Sequence, residues 1–277
     1  MSKKPKPQTG RPISPLEPLK NWQYSDFRRY RVPPTAPIQY TDVVTLVSNF
    51  LNEQPLMGLS DIAIGGTFPI GEFNLAPGFY AKQFWYCYER KLTGTPKLYL
   101  AMEDSAWNWP KTIKAEDCPV RPETPILKRP NIPIQFDAAN YDRKDLAQVQ
   151  KFMEDTTGVD DSVSDIRETD VMKYAWAFAS LFGSNNAGYC SYPYAYFEDN
   201  ETGTTHSWIK EFLGQIDISL VKGVRYFFGL ETSLAYIPNR IRIILFLVGH
   251  DDKIILKDPA GVEIMMLEKS FPPPPPL

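Results

Sequence analysis

Two histidines, His206 and His250, and three cysteines, Cys87, Cys118 and Cys190, are the side chains best suited to nucleophilic or metal chemistry. Cys190 lies sixteen residues before His206, with Asp199 and Glu201 between them. A thiol beside an imidazole that an acid orients is the machinery of a thiol hydrolase. The imidazole raises the thiolate fraction and the carboxylate fixes the tautomer. The context Gly188-Tyr189-Cys190-Ser191-Tyr192 lacks the local signatures of caspases and papain-like proteases, so the pair rests on co-occurrence alone. His250 falls in Gly249-His250-Asp251-Asp252, where polar turn chemistry accounts for it. The chain carries no HExxH, GxSxG or CxxC motif and no spacing of two histidines with a carboxylate. Two separated histidines do not make a catalytic zinc site, so no metal and no cofactor is expected. A glycosidase-type carboxylate pair needs no motif, and 33 acidic residues leave it open.

Aromatic residues supply the candidate binding groups. Trp107 and Trp109 would point the same way on a strand and could floor a sugar or peptide groove, or pack inward as aromatic pairs more often do. Tyr189, Tyr192, Tyr194 and Tyr196 crowd a loop-like stretch, where tyrosines give rigid amphipathic contact or cover a core. Near the N-terminus, Trp22, Tyr24, Phe27 and Tyr30 interleave with Arg28, Arg29 and Arg31. Such a pattern can stack on bases, or lay its rings on an apolar surface with the guanidiniums in water. With 30 basic and 33 acidic residues the net charge is −3, which argues against a broad nucleic-acid footprint. Gly65, Gly66 and Gly71 follow neither the GxGxxG nor the phosphate-loop spacing. The acidic run from Glu154 to Asp170 does not match a calcium-binding EF-hand loop and reads as a solvated acidic loop.

A chain of 277 residues, 43% hydrophobic and 23% charged, can bury a sizeable core. Its three scattered cysteines suit reduced thiols in the cytoplasm rather than a disulfide framework. No stretch reaches about 18 uninterrupted apolar residues, so no membrane span is expected. MSKKPKPQTG has charge without an apolar run behind it, unlike a classical secretion signal; export by another route stays open. Prolines, 26 in all, punctuate the chain. They suggest a flexible arm over 1–20, a β-rich region with one helix over 21–136, a helical pair plus an antiparallel sheet over 137–271, and a polyproline tail over 272–277. The cluster Pro110, Pro119, Pro122, Pro125, Pro130 and Pro133 predicts a strap or linker without regular structure.

The elements that must position these groups follow from periodicity. Val43, Leu46, Val47, Phe50 and Leu51 predict a helix over 41–54, capped by Thr41 and stopped by Pro55. A second helix is expected over 143–154, and a third over 169–182 with Thr169 as its cap. A short one should cover 207–214. Strands are expected over 79–90 and 98–102, joined by a turn at Thr93-Gly94-Thr95-Pro96, and over 216–221 and 223–230. RIRIILFLV (240–248) reads as a central strand, wet on the side of Arg240 and Arg242 at its start and buried on both faces thereafter. Turns at 249–252 and 258–261 make 240–248, 253–256 and 262–267 a β-meander. The expected fold is α+β: a mixed, mainly antiparallel sheet with a C-terminal β-meander, packed by about three helices and joined by ordered Pro-rich loops. The expected function is that of a non-enzymatic interaction or assembly protein with a protein partner. The alternatives are a Cys/His hydrolase-type effector or a carbohydrate- or peptide-binding module.

Overall fold

Val224, Tyr226, Phe228 and Leu230 face one side of a strand, Arg225, Phe227 and Gly229 face the other, and both sides are buried. That strand, β9 (Val221–Glu231), is the middle of the three-stranded antiparallel sheet β1-β9-β10. β1 is Gly65–Pro69 and β10 is Arg240–Gly249. The computed structural model describes residues 38–55, 57, 59, 63–73, 81–89, 96–105, 127–182, 191, 194–196, 198–199, 206–232 and 239–267. A second antiparallel sheet has the order β5-β4-β3-β2-β6. Its strands are β2 (Ala81–Glu89), β3 (Lys97–Ser105), β4 (Leu127–Pro130), β5 (Val163–Ile166) and β6 (Tyr194–Tyr196). A two-stranded ladder joins β7 (Glu198–Asp199) to β8 (His206–Ser207). Four α-helices lie among the described residues: α1 (Tyr40–Glu53), α2 (Leu146–Asp155), α3 (Glu168–Phe182) and α4 (Trp208–Leu213). The chain is thus α+β with mainly antiparallel sheets, as its sequence pattern predicts.

The two larger sheets face each other across an aromatic core. Phe68 of β1 lies 6.2 Å from Phe84 of β2, and Tyr86 of β2 stacks on Phe228 of β9 at 5.9 Å. Two buried hydroxyls tie the sheets. Tyr86 donates to the Ile241 carbonyl at 3.3 Å, and Tyr226 accepts the Leu100 amide of β3 at 3.2 Å. On the far face of the first sheet lies α1. Tyr40 meets Phe246 edge-on, and a Cβ on Gly229 would come within 2.9 Å of the Leu46 Cβ. Glycine at 229 is what lets helix and strand approach this closely.

Helix α3 serves both faces of the second sheet. Its Val171 and Ala175 join Trp85, Cys87, Tyr99 and Ala101 in a smaller outer cluster. Its Phe178 stacks on Tyr86 at 4.7 Å, and its Phe182 meets Tyr88, both on the inner face. β6 pairs with β2 only over Phe84 and its two neighbours. Beyond them the edge of β2 is left for α3 to cross.

The meander survives as single bridges rather than continuous ladders. Gly249 donates to Lys253, Ile255 to Leu247 and Ile264 to Leu256, and Leu267 bridges Leu245. In consequence β10 is the end strand of its sheet rather than the expected central one: one edge is paired to β9 and the other is covered in pieces by the returning chain. Several expectations need correction. Arg240 and Arg242 do not face water: both are buried, and Arg242 pairs with Glu231 across the β9–β10 ladder. Residues 216–220 are not a strand, and only Val221 of that expected stretch belongs to one, as the first residue of β9. Asp217 accepts the Ser219 amide and winds Ile218–Leu220 into a 3-10 turn before β9 begins. The proline-dense segment is not devoid of regular structure, because Pro130 ends β4 opposite Val163 of β5, beyond the two residues of β4 that β3 pairs, so that side needs no N–H from it. Helix α1 has Gln39 rather than Thr41 at its N-cap, α3 starts before Thr169, and α2 starts at Leu146, where the Asp145 side chain accepts the Ala147 amide.

Candidate functional site

A lone arginine in the apolar run of β9 anchors a buried polar cluster. Arg225 is 0% exposed. Its Nε donates to Thr67 Oγ1 at 3.2 Å, one Nη to the Thr156 carbonyl at 2.6 Å, and the other to Asp252 Oδ1 at 3.2 Å. Thr67 is its cross-strand partner in β1, and Thr156 is the C-cap of α2. Asp252 occupies the turn after β10 with φ 65°, a left-handed conformation that aspartate tolerates better than most residues. Its carboxylate also accepts the Val159 amide at 2.7 Å and Lys222 Nζ at 3.3 Å, and Lys222 lies 3.8 Å from Asp161. Burial pulls the Arg225 guanidinium below its ordinary range, and the Asp252 carboxylate opposes that shift. Each charge is met by opposite charge and by hydrogen bonds, the condition under which a buried ion pair offsets its own desolvation. The cluster joins β1, β9, α2 and the first meander turn. Its chemical capacity is that of a brace.

A second group lies on the outer face of the second sheet. Cys87 is cross-strand to Tyr99, Arg129 sits over the Tyr99 ring at 5.3 Å, and Glu89 stands 3.7 Å from Arg129. Burial drives the Cys87 thiol and the Tyr99 phenol far above their ordinary ranges. Such a thiol stays protonated and inert. A third feature is a shallow surface groove of about 350 Å³ lined by Tyr141, Asp142, Arg143 and Gln148 with Ala138, Ala139 and Asn140. Its polar groups are engaged by the fold: Gln148 accepts the Asp142 amide within the turn, and Arg143 donates to the Leu51 carbonyl of α1.

Most of the residues singled out from sequence, namely Cys190, Trp107, Trp109, Tyr189 and Tyr192, lie outside the described residues. Tyr194 is placed on β6 opposite Trp85, and His206 on β8 opposite Asp199, which the sequence offers as a partner for its imidazole. Next to Cys190, Ser191 is buried. Its hydroxyl accepts the Ile241 amide at 2.9 Å and its own amide donates to the Phe182 carbonyl. His250 Nε2 meets the Ser219 carbonyl at 3.0 Å, consistent with a structural turn residue. Arg225 belongs to no motif, yet one charge amid GVRYFFGL is itself a signal, because a guanidinium flanked by core residues must find a carboxylate.

The surface offers apolar side chains of its own. Ile218 is 48% and Leu220 41% exposed on the 3-10 turn before β9. The chain is anchored at and before that turn: Gln215 exchanges two hydrogen bonds with the Met265 backbone, and His250 Nε2 meets the Ser219 carbonyl. Among the described residues no group of three or more His, Cys, Asp and Glu could hold a metal ion, and no helix is long and apolar enough to cross a membrane. No protein-family model matches the chain, and no curated protein or solved structure matches it.

Proposed function

We propose that this chain is a non-enzymatic interaction or assembly protein that works with a protein partner. One observation carries the reading: Ile218 and Leu220 stand in water on a turn anchored by His250 and, just before it, by Gln215. Exposing two large aliphatic side chains on an anchored backbone costs solvation energy without contributing to this chain's own core, while a partner would gain their burial with little ordering cost. The described polar clusters support the same reading, since Arg225, Asp252, Arg242 and Glu231 are engaged in bracing the fold. The low, odd cysteine count supports a reducing compartment, with the cytoplasm as the working location.

The test compares the tagged full-length chain with an Ile218→Ser, Leu220→Ser double variant. Candidate partners retained from native lysate are purified and recombined with each form, and the complexes are sized by light scattering. Wild type should form a defined complex with a purified partner, and the double variant should lose at least tenfold in affinity with its unfolding midpoint unchanged. A wild-type chain that binds no purified partner overturns the reading, as does a variant that binds as tightly as wild type. A Cys190→Ala, His206→Ala variant serves as the control and should bind like wild type.

A further inference from the structure

We draw no further inference here: the strongest candidate, the exposed apolar pair Ile218 and Leu220 on the 3-10 turn before β9, carries nothing beyond the function proposed above, because nothing in the structure shows what covers it.

Discussion

Removing the Asp252 carboxylate leaves the Arg225 guanidinium buried against two neutral oxygens, Thr67 Oγ1 and the Thr156 carbonyl. Breaking one side of a buried ion pair costs about 3–5 kcal/mol. Asp252→Asn keeps the size and the tolerance of left-handed φ, so its loss reports the charge. Urea unfolding should show that drop, whereas Asp165→Ala, which breaks the exposed Lys128–Asp165 pair, should cost under about 1 kcal/mol. The buried thiol and phenols give a pH dependence of definite sign. Burial raises Cys87 and Tyr226 in the folded state. A raised folded pKa gives stability that is complete below the unfolded pKa and is lost as pH rises above it. Those unfolded values are about 8.5 for the thiol and about 10 for the phenol. The unfolding midpoint should therefore fall steadily from about pH 8.5 upward, in two overlapping stages. Tyr226→Phe should shrink the later stage, to which the buried Tyr99 and Tyr40 phenols also contribute, while lowering stability at pH 7 by about 1–3 kcal/mol, since it orphans the Leu100 amide. A midpoint flat to pH 11 in wild type would contradict the burial of both groups. At this scale sequence reasoning fell short in one consistent way. Arg240 and Arg242 look like a solvent face by alternation, yet a partner on the neighbouring strand, Glu231, turns one of them inward. Alternation reports side, and only the cross-strand neighbour decides whether that side is wet.

Elements were legible where they were long and apolar. The stripe Val43, Val47, Phe50, Leu51 places α1 within a residue of its bounds, and Val171, Ala175, Phe178 and Phe182 do the same for α3. The pairs β2–β3 and β9–β10 follow from their β-branched and aromatic runs. Short strands escaped. β1 contains Gly65, Gly66 and Pro69, and β4 ends on Pro130, so local propensity argues against both. Tertiary pairing overrides it, through β9 in one case and through β3 and β5 in the other. The contact of α1 with β9 supplies a test of its own. Gly229→Ala sets a methyl against Leu46 Cβ and Ile244 Cδ1, at 2.9 and 2.8 Å before relaxation. Overpacking of this kind costs about 1–3 kcal/mol. Heat denaturation should show it as a lowered midpoint, and a second substitution, Ile244→Val, should restore part of the loss. Removal of the α2 cap by Asp145→Ala should cost about 1 kcal/mol, read in the same way.

Among the described residues, one main core takes residues from α1, both larger sheets, α2, α3 and the meander. Val43, Phe84, Val149, Phe228 and Leu267 all belong to it, although they span most of the described sequence. Urea denaturation followed by tryptophan fluorescence and by far-ultraviolet circular dichroism should accordingly give coincident, single transitions. Two separated transitions would show that the sheets fold independently. This integration was the least legible property of the chain, because contact between distant aromatic strands leaves no local pattern. The candidate functional residues were legible only as types. Cysteine, histidine and paired tryptophans mark chemistry that a fold could assemble, while the surface pair Ile218 and Leu220 became visible only once a presumed strand proved to be a turn.

The reciprocal tyrosines have a mechanical meaning. Each sheet lends one hydroxyl to the other's backbone, Tyr86 toward Ile241 and Tyr226 toward Leu100, at two separate points of the interface. Together with the stacking of Tyr86 on Phe228, these two bonds set how one layer sits on the other, so a change that removes either hydroxyl is felt in both sheets at once.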